Sequence, residues 1–294
     1  MTKTAYGYAK IDAFTAGNSL GNPAACLYLS PDQRPGGREM LSIAKQHKGF
    51  VSEVVYCTSG PDGIGLTYYS SECEVDFCGH GTIACLYHLI QTTPALLAQA
   101  EIQFHTHQKG TLTAYNRIPE SDAVLIAAPA PQWIGTELGR EAVAAALGLA
   151  AQTIHETLPI DLIDAGLRTL IVPLRDLETE VSVFPDEKTL KAFCEANGIG
   201  ILLVFAMETE RPGRHAHTRV FAPRFGYLED PATGSGNSAF GYYMLQNGLW
   251  NGADCLLEQG GSDRVYNEIR LAAPGGRVLF GGSATVRIDG LYYV

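Results

Sequence analysis

The sequence predicts an α+β protein made of two similar halves, each with several strands and one buried helix. Short apolar runs bounded by Gly, Pro and Asn recur along the chain, which is typical of strands. Residues 79–90 and 234–248 are apolar nearly all round, and a helix of that kind is usually buried on every side. Both helices begin in glycine and hydroxyl residues, so the two halves share one plan.

In the first half, alternation over residues 5–12 predicts the opening strand, and residues 38–47 form an amphipathic helix. A Gly-Pro-Asp-Gly turn then joins two strands in the manner of a hairpin. The further strands of this half are expected at 24–29, 52–57, 64–70, 102–107, 111–115 and 123–131.

In the second half, Thr136 is a candidate N-cap for a helix over 136–149. A second amphipathic helix, over 186–197, is expected to end before Gly198. The strands are expected at 162–174, 200–209, 217–223, 255–260, 265–273, 277–282 and 284–289.

The composition limits the classes of partner and the compartment. The chain has 294 residues, 46% hydrophobic and 18% charged, and a net charge of −10. That balance argues against nucleic acid or an anionic membrane, which bind clustered Lys and Arg, whereas a small anionic metabolite can still bind a local pocket. No secretory signal or apolar run of 18 residues is present, and the seven cysteines are mostly in apolar runs, as reduced thiols are. We therefore expect a cytoplasmic protein.

The starts of the two apolar helices are candidate anion-binding turns. They read CGHGT at 78–82 and PATGS at 231–235. A helix N-terminus offers unpaired N–H groups that bind carboxylate or phosphate, so Gly81 and Thr82 are candidate substrate contacts. The alternative interpretation is that the glycines only allow tight turns from strand to helix.

Two carboxylates are candidate proton carriers. Glu53 shares a strand face with Val51 and Val55, where loss of water would raise the pKa of its carboxyl and suit it to proton transfer. Asp230 directly precedes the second helix start. The alternatives are a strand glutamate at a sheet margin and an aspartate that shapes a turn.

No metal site is expected. Cys73 and Cys78 are not matched by a CxxC pair elsewhere in the chain that could complete a zinc site. The HTH and HAH segments, at 105–107 and 215–217, each place two histidines on one strand face, and they would form a site only if they met in space. We interpret them as ordinary strand histidines.

The segments IDAFTAGNSLGNPAAC, SEVVYC, CEVDFCGHGT, HQKGTL and RVFAPRFGYLEDPATGSG occur in the order and spacing of the PhzF-like family. The chain resembles this phenazine-biosynthesis isomerase family, which has the diaminopimelate epimerase fold, over nearly its whole length. The resemblance implies two pseudo-symmetric domains, each a curved, mostly antiparallel sheet or half-barrel around a central helix, with the active site in the cleft between them. We assign residues 1–125 plus 280–294 to the N-terminal domain and 126–279 to the C-terminal domain.

The same resemblance implies a cofactor-independent isomerase, a homodimer, that moves a proton on a small carboxylate-bearing substrate. Glu53 corresponds to the general acid/base of the family, and His80 and Asp230 to its partners. The substrate contacts implied by the motifs are Gly79, Gly234 and Ser235.

The chain departs from related families at two places. Diaminopimelate epimerase and proline racemase place one cysteine at each of two equivalent turns, but here PATGS contains none. The alternatives that remain are a racemase-like or dehydratase-like reaction with Cys78 as its only thiol base, a buried structural Cys78, or a non-catalytic small-molecule-binding protein. Residues 262–269 also differ from the family pattern, so a different pocket rim is expected and the phenazine substrate is not carried over.

Overall fold

The structure, a computed structural model, describes residues 4–61, 63–261, 263 and 265–294. Its contacts divide the chain into two compact units: unit 1 extends to Ile126 and includes Gly281–Val294, and unit 2 is Ala127–Phe280. Contacts group residues but do not test independent folding, so the domain assignment above stays a prediction. Within the described ranges, no helix is long and apolar enough to cross a membrane.

The longer strands and helices follow one another as the periodicity predicts, and several short elements were not predicted. The strands are β1 (Ala5–Ala13), β2 (Asn22–Leu29), β3 (Glu53–Gly60), β4 (Gly63–Ser70), β5 (Glu74–Val75), β6 (Glu101–Thr106), β7 (Gly110–Asn116), β8 (Val124–Ala127), β9 (Gln132–Trp133), β10 (Asp161–Asp164), β11 (Arg168–Pro173), β12 (Ile201–Ala206), β13 (Ala216–Phe221), β14 (Glu229–Asp230), β15 (Cys255–Gln259), β16 (Asn267–Ala272), β17 (Leu279–Gly282) and β18 (Ala284–Tyr293). The helices are α1 (Gly37–Gln46), α2 (Gly79–Thr92), α3 (Pro94–Leu97), α4 (Ile118–Ser121), α5 (Arg140–Leu147), α6 (Leu177–Ser182), α7 (Glu187–Ala196) and α8 (Gly234–Gln246).

The two units repeat one pattern of strand pairing. In unit 1, β2 pairs parallel with β3, β3 antiparallel with β4, β4 parallel with β6, and β6 antiparallel with β7. In unit 2, β11, β12, β13, β15 and β16 pair in the same sequence of parallel and antiparallel ladders. The predicted α+β fold with a repeated plan is therefore confirmed.

Each unit buries one helix against its strands. Helix α2 contacts β1, β2, β3 and β18, and α8 contacts β10, β11, β12 and β16. Most side chains of both helices are buried, as their apolar sequences predict. Each apolar side chain buried in this way stabilises the fold by about 1.5–3 kcal/mol. The central helices are thus fixed, and so are their first turns.

Two local predictions are corrected by the structure, and a short helix was missed. Helix α5 begins at Arg140 with Gly139 as N-cap, because the hydroxyl of Thr136 accepts a hydrogen bond from the Leu138 N–H (3.2 Å) in a separate turn. The segment 162–174 is a hairpin, β10 and β11, turned at Gly166 with φ +116°. The short helix α6 was not predicted, because its six residues are too few to establish a periodicity.

Candidate active site

Glu53 is the first residue of β3, where it pairs with Ala24 of β2 and Ser70 of β4. Its side chain is 22% exposed. Within the described part of the chain, its Oε2 atom is buried and makes no hydrogen bond. Burial raises the pKa of the Glu53 carboxyl to about 7, although a hydrogen bond from Cys78 acts in the opposite direction. This carboxyl therefore exchanges its proton near neutral pH.

Cys78 is the N-cap of α2, in extended backbone conformation, and its Sγ accepts a hydrogen bond from the Gly81 N–H (3.3 Å). Thr82 fixes the same turn, because its N–H and hydroxyl both donate to the Cys78 carbonyl (2.9 and 2.7 Å). A Cβ at position 81 would lie 2.8 Å from Cγ2 of Val55, so the turn requires glycine there. Strand β3 and the start of α2 therefore approach too closely for any side chain.

His80 lies between the thiol and the carboxylate. Its Nε2 is 3.4 Å from Oε2 of Glu53, and its Nδ1 is 3.5 Å from Sγ of Cys78. One donor atom from each of the three side chains lies within 4.8 Å of the other two. Carboxylate, thiolate and imidazole are also donor types that zinc accepts, so the expectation of no metal stays a prediction for metal analysis to test.

In unit 2, Asp230 ends β14 and Thr233 is the N-cap of α8. The Thr233 hydroxyl donates to Oδ2 of Asp230 (2.5 Å). Gly234 opens the helix, and a Cβ there would lie 2.3 Å from Cε2 of Phe280. Ser235 follows and is partly exposed. The geometry thus places a carboxylate beside the first turn of α8.

Thr233 is the counterpart of Cys78. Each is the N-cap of the buried helix of its unit, with φ −127° and ψ 109° at Cys78 and φ −122° and ψ 104° at Thr233. A hydroxyl therefore occupies the place where a two-cysteine racemase would need its second thiol.

Two functional candidates were not predicted from the sequence: Gln259 and Asn237, both fully buried. The Gln259 side chain bonds to the backbone of Asp230 and Thr233 and to the Asn237 amide. Polar residues within apolar runs are the signal that would have drawn attention to them, since buried polar groups require partners.

The structure brings together Glu53, Cys78 and His80 with Gly79, Gly81 and Thr82 in unit 1, and Asp230 with Gly234 and Ser235 in unit 2. The roles assigned to these residues stay predictions.

Three of the four histidines in the HTH and HAH segments have local partners. His107 Nδ1 lies 2.5 Å from Oε1 of Glu74, His217 Nδ1 lies 2.8 Å from Oε2 of Glu180, and His215 bonds to a backbone carbonyl. The predicted pocket rim at 262–269 falls partly outside the described residues, since 262 and 264 are not among them.

Two crystal structures share the fold of the chain. The phenazine biosynthesis protein of the PhzF family from Bacillus anthracis superposes with a TM-score of 0.82 at 23% identity, covering 99% of both chains. The hydroxyproline epimerase from Agrobacterium vitis superposes with a TM-score of 0.62 at 12% identity, covering 100% of this chain and 92% of the other. The predicted epimerase-like fold is therefore confirmed.

The sequence comparisons extend over nearly the whole chain. A protein of Deinococcus radiodurans described as an uncharacterized isomerase is 30% identical over 306 residues, 97% of this chain and 94% of that protein. The trans-2,3-dihydro-3-hydroxyanthranilate isomerase of Pseudomonas fluorescens is 28% identical over 252 residues, 83% of this chain and 81% of that protein. The family described as phenazine biosynthesis-like protein, PhzC-PhzF, matches residues 11–290. The chain therefore belongs to the phenazine biosynthesis-like PhzC-PhzF family and is an isomerase.

Proposed function

We propose that Glu53 is the general acid/base of this isomerase and moves a proton between two carbons of a small carboxylate-bearing substrate. The observation that carries the proposal is the position of Glu53: a largely buried carboxyl with a pKa of about 7, next to His80. A group that titrates near neutrality supplies both the base that removes a proton and the acid that returns it. No cofactor takes part in the proposed reaction.

In the proposed reaction, ionised Glu53 removes a proton from a carbon that is acidified by a conjugated system. The C–H bond breaks, the carboxyl O–H bond forms, and the electron pair enters the conjugated system of the substrate. The carboxyl proton exchanges with solvent, the O–H bond then breaks, and a proton from solvent bonds to a second carbon as the electron pair returns. His80 orients the carboxylate through the 3.4 Å contact between Nε2 and Oε2.

The closeness of the unit 1 groups favours a proton shift on one face of the substrate. Glu53, Cys78 and His80 each offer an atom within 4.8 Å of the others. Inversion at one carbon needs a base about 3 Å away on each face, hence two bases about 6 Å apart. Glu53 and Cys78 are too close together to act as such a pair.

We also assign roles in the proposed reaction to Asp230 and to the two helix starts. We assign to Asp230 a part in positioning and proton sharing, and to Gly79, Gly234 and Ser235 the contacts to the substrate carboxylate. Amides at a helix start favour an anion there, and they would stabilise negative charge that develops during proton removal. The Gly81 N–H already donates to Cys78 and the Thr82 hydroxyl to the Cys78 carbonyl, so these two residues support the turn. Their direct contact with the substrate stays a prediction.

The test is deuterium incorporation from heavy water into a panel of small conjugated carboxylates, measured by mass spectrometry. The panel includes trans-2,3-dihydro-3-hydroxyanthranilate, the substrate in the name of the Pseudomonas fluorescens relative. We expect uptake with the wild type, loss of uptake in Glu53→Gln, and retention in Cys78→Ser. Absence of turnover and uptake across the panel, with binding retained, would favour the small-molecule-binding alternative.

A second candidate is a single-cysteine reaction, and the contacts of Cys78 favour it. Its Sγ accepts from an amide at a helix N-terminus and lies next to His80, an arrangement that activates a thiol. The same assay separates the two reactions, because this one predicts loss of uptake in Cys78→Ser and retention in Glu53→Gln.

The homodimer and the cytoplasmic location belong to the proposal as well. The seven cysteines, all within the described ranges, are free thiols, which supports a reducing compartment. Light scattering coupled to size exclusion measures the oligomeric state, and cell fractionation measures the location.

A further inference from the structure

We infer that Gln259 is a positioning residue that holds Asp230 and the first turn of α8 in the arrangement needed for turnover. The inference rests on the proposed function, because it assumes that Asp230 takes part in the reaction. Gln259 is the last residue of β15 and is fully buried.

Both the oxygen and the NH₂ group of the Gln259 amide bond to the turn that carries Asp230. Its Oε1 accepts from the Thr233 N–H (3.0 Å) and from Nδ2 of Asn237 (2.7 Å). Its Nε2 donates to the Asp230 carbonyl (2.8 Å) and to the Thr233 hydroxyl (3.2 Å). One side chain at the end of β15 thereby bonds to both Asp230 and Thr233, the residues on the two sides of the turn.

The orientation of this amide is fixed by its neighbours. Nδ2 of Asn237 also donates to the Thr233 carbonyl (2.9 Å), and Oδ1 of Asn237 accepts from the Thr218 hydroxyl (3.2 Å). Asn237 therefore presents a donor to Gln259, and a backbone N–H presents a second. The oxygen of Gln259 must face these donors, and its NH₂ group must face the Asp230 carbonyl.

The network reaches the carboxylate through a single hydroxyl. Thr233 Oγ1 donates to Oδ2 of Asp230 (2.5 Å) and accepts from Nε2 of Gln259. A hydroxyl has one proton to give, so the donor from Gln259 directs that proton toward Asp230. Loss of the donor frees the hydroxyl to rotate, and the carboxylate loses the fixed hydrogen bond from Thr233.

A carboxyl in place of the amide gives a pH-sensitive test. Within the described residues, the charged group that faces position 259 is Asp230, through Thr233. Strand alternation sends His217, Arg219 and Glu258 to the other face of the sheet, where Arg219 bonds to carbonyls of 180–183 and Glu258 to Arg211. In Gln259→Glu, the ionised carboxyl would face the Asp230 carbonyl without a proton to donate, and burial would raise its pKa. The neutral acid has the shape of the amide and restores one donor.

The experiment measures kcat and KM of Gln259→Glu and of the wild type between about pH 5 and 9. The ratio of variant kcat to wild-type kcat is taken at each pH, because the titration of Glu53 affects both enzymes and cancels in that ratio. We expect kcat to fall about 10- to 100-fold at about pH 8 with a smaller change in KM, and to recover as pH falls. Gln259→Leu, which has no polar group, should lose kcat at every pH. The matched control is Gln103→Glu, the same substitution at an exposed amide that bonds to Thr113, with a ratio near one throughout.

A kcat ratio that does not change with pH, or full activity in Gln259→Leu, would overturn the inference. Circular dichroism checks folding. If Gln259→Glu does not fold at high pH, Thr233→Val replaces it: loss of kcat there, with rescue in Thr233→Ser, supports the inference, and wild-type kcat in Thr233→Val overturns it.

A readout that does not depend on turnover separates this inference from the proposed function. If the wild type turns over none of the panel, the proposed function fails. Hydrogen exchange of the Thr233 amide then decides whether Gln259 holds the turn. Loss of protection in Gln259→Leu, with recovery at low pH in Gln259→Glu, supports the holding role, and unchanged protection overturns it.

Discussion

Nε2 of His80 lies 3.4 Å from Oε2 of Glu53, although the two residues belong to different elements, the start of α2 and the first position of β3. This separation is longer than the 2.7–2.9 Å typical of a strong charge-assisted hydrogen bond. The pair is therefore in contact, without the tight ion pairing that would lower the pKa of the carboxyl. Glu53 keeps a pKa of about 7 because burial outweighs its partners.

Glu53→Gln should stabilise the protein at high pH. The folded state raises the pKa of Glu53 from 4.5 to about 7, so its contribution to stability is fully present below about pH 4.5 and is lost as pH rises toward 7. Glutamine does not ionise and avoids this loss. We expect a gain of up to about 3 kcal/mol in the free energy of unfolding at about pH 8, and little change at about pH 4. Urea denaturation at both pH values measures it.

The matched control is Glu72→Gln. That carboxylate is exposed, and its pKa is lowered chiefly by a hydrogen bond from Lys48, so the substitution should give no gain at high pH. Equal gains in both variants would show that net charge, and not the burial of Glu53, governs the effect.

Cys78→Ala should move the acidic limb of the activity profile to higher pH. The thiol donates to the Glu53 carboxylate and partly offsets the effect of burial, so its removal raises the pKa of Glu53 further. The pH dependence of kcat/KM, which reports the free enzyme, should shift upward by about half a unit to one unit. Cys73→Ser, at an exposed thiol, is the control, and a limb that stays in place in Cys78→Ala contradicts the expectation.

Gly81→Ala should destabilise the first turn of α2. Its Cβ would lie 2.8 Å from Cγ2 of Val55 and 3.0 Å from Sγ of Cys78. Overpacking of this kind costs about 1–3 kcal/mol, and displacement of the turn that carries His80 should reduce activity as well. Thermal unfolding and the deuterium assay measure the two effects. Gly290→Ala is the control, because nothing lies within 4 Å of the added methyl, and an equal loss there would refute the packing argument.

His217→Ala should cost about 3–5 kcal/mol, because it removes the partner of a fully buried carboxyl. Nδ1 of His217 lies 2.8 Å from Oε2 of Glu180, and both side chains are inaccessible to solvent. Burial raises the pKa of Glu180, and the nearby His217 counteracts it. Without His217 that pKa rises further, so the loss of stability should grow with pH. Denaturation at about pH 5 and pH 8 tests this, with the double variant that adds Glu180→Gln expected to recover part of the loss.

Sequence reasoning succeeded where the signal is local. Gly79 and Gly81 lie in the first turn of one buried helix and Gly234 and Gly236 in the first turn of the other, as their apolar sequences predict. The role of Glu53 stays a prediction. The start of α5 was predicted wrongly, because Thr136 bonds to Leu138 in a turn of its own and the helix begins only at Arg140. A capping residue and a turn residue have the same chemistry, and only the folded chain distinguishes them.

Gln259 shows why part of the candidate site could not be predicted. Its partners Asn237, Thr233 and Asp230 lie 22, 26 and 29 residues earlier, so no spacing in the sequence marks the cluster. The meeting of Glu53 with His80 likewise depends on β3 packing against the start of α2. The resemblance to a family supplied that pairing, whereas periodicity alone did not.

Because the two units repeat one pattern of strand pairing, a candidate site residue of unit 1 can be compared with the residue at the equivalent position of unit 2. Glu53 opens β3 opposite Ala24, and Ile201 opens β12 opposite Thr169 in the same kind of parallel ladder. Cys78 corresponds in the same way to Thr233. A mutational scan that measures folding and turnover separately should therefore give different results for Glu53 and Ile201, and for Cys78 and Thr233. Replacement of Ile201 by another apolar residue should leave both folding and turnover intact. Replacement of Glu53 should leave folding intact and abolish turnover.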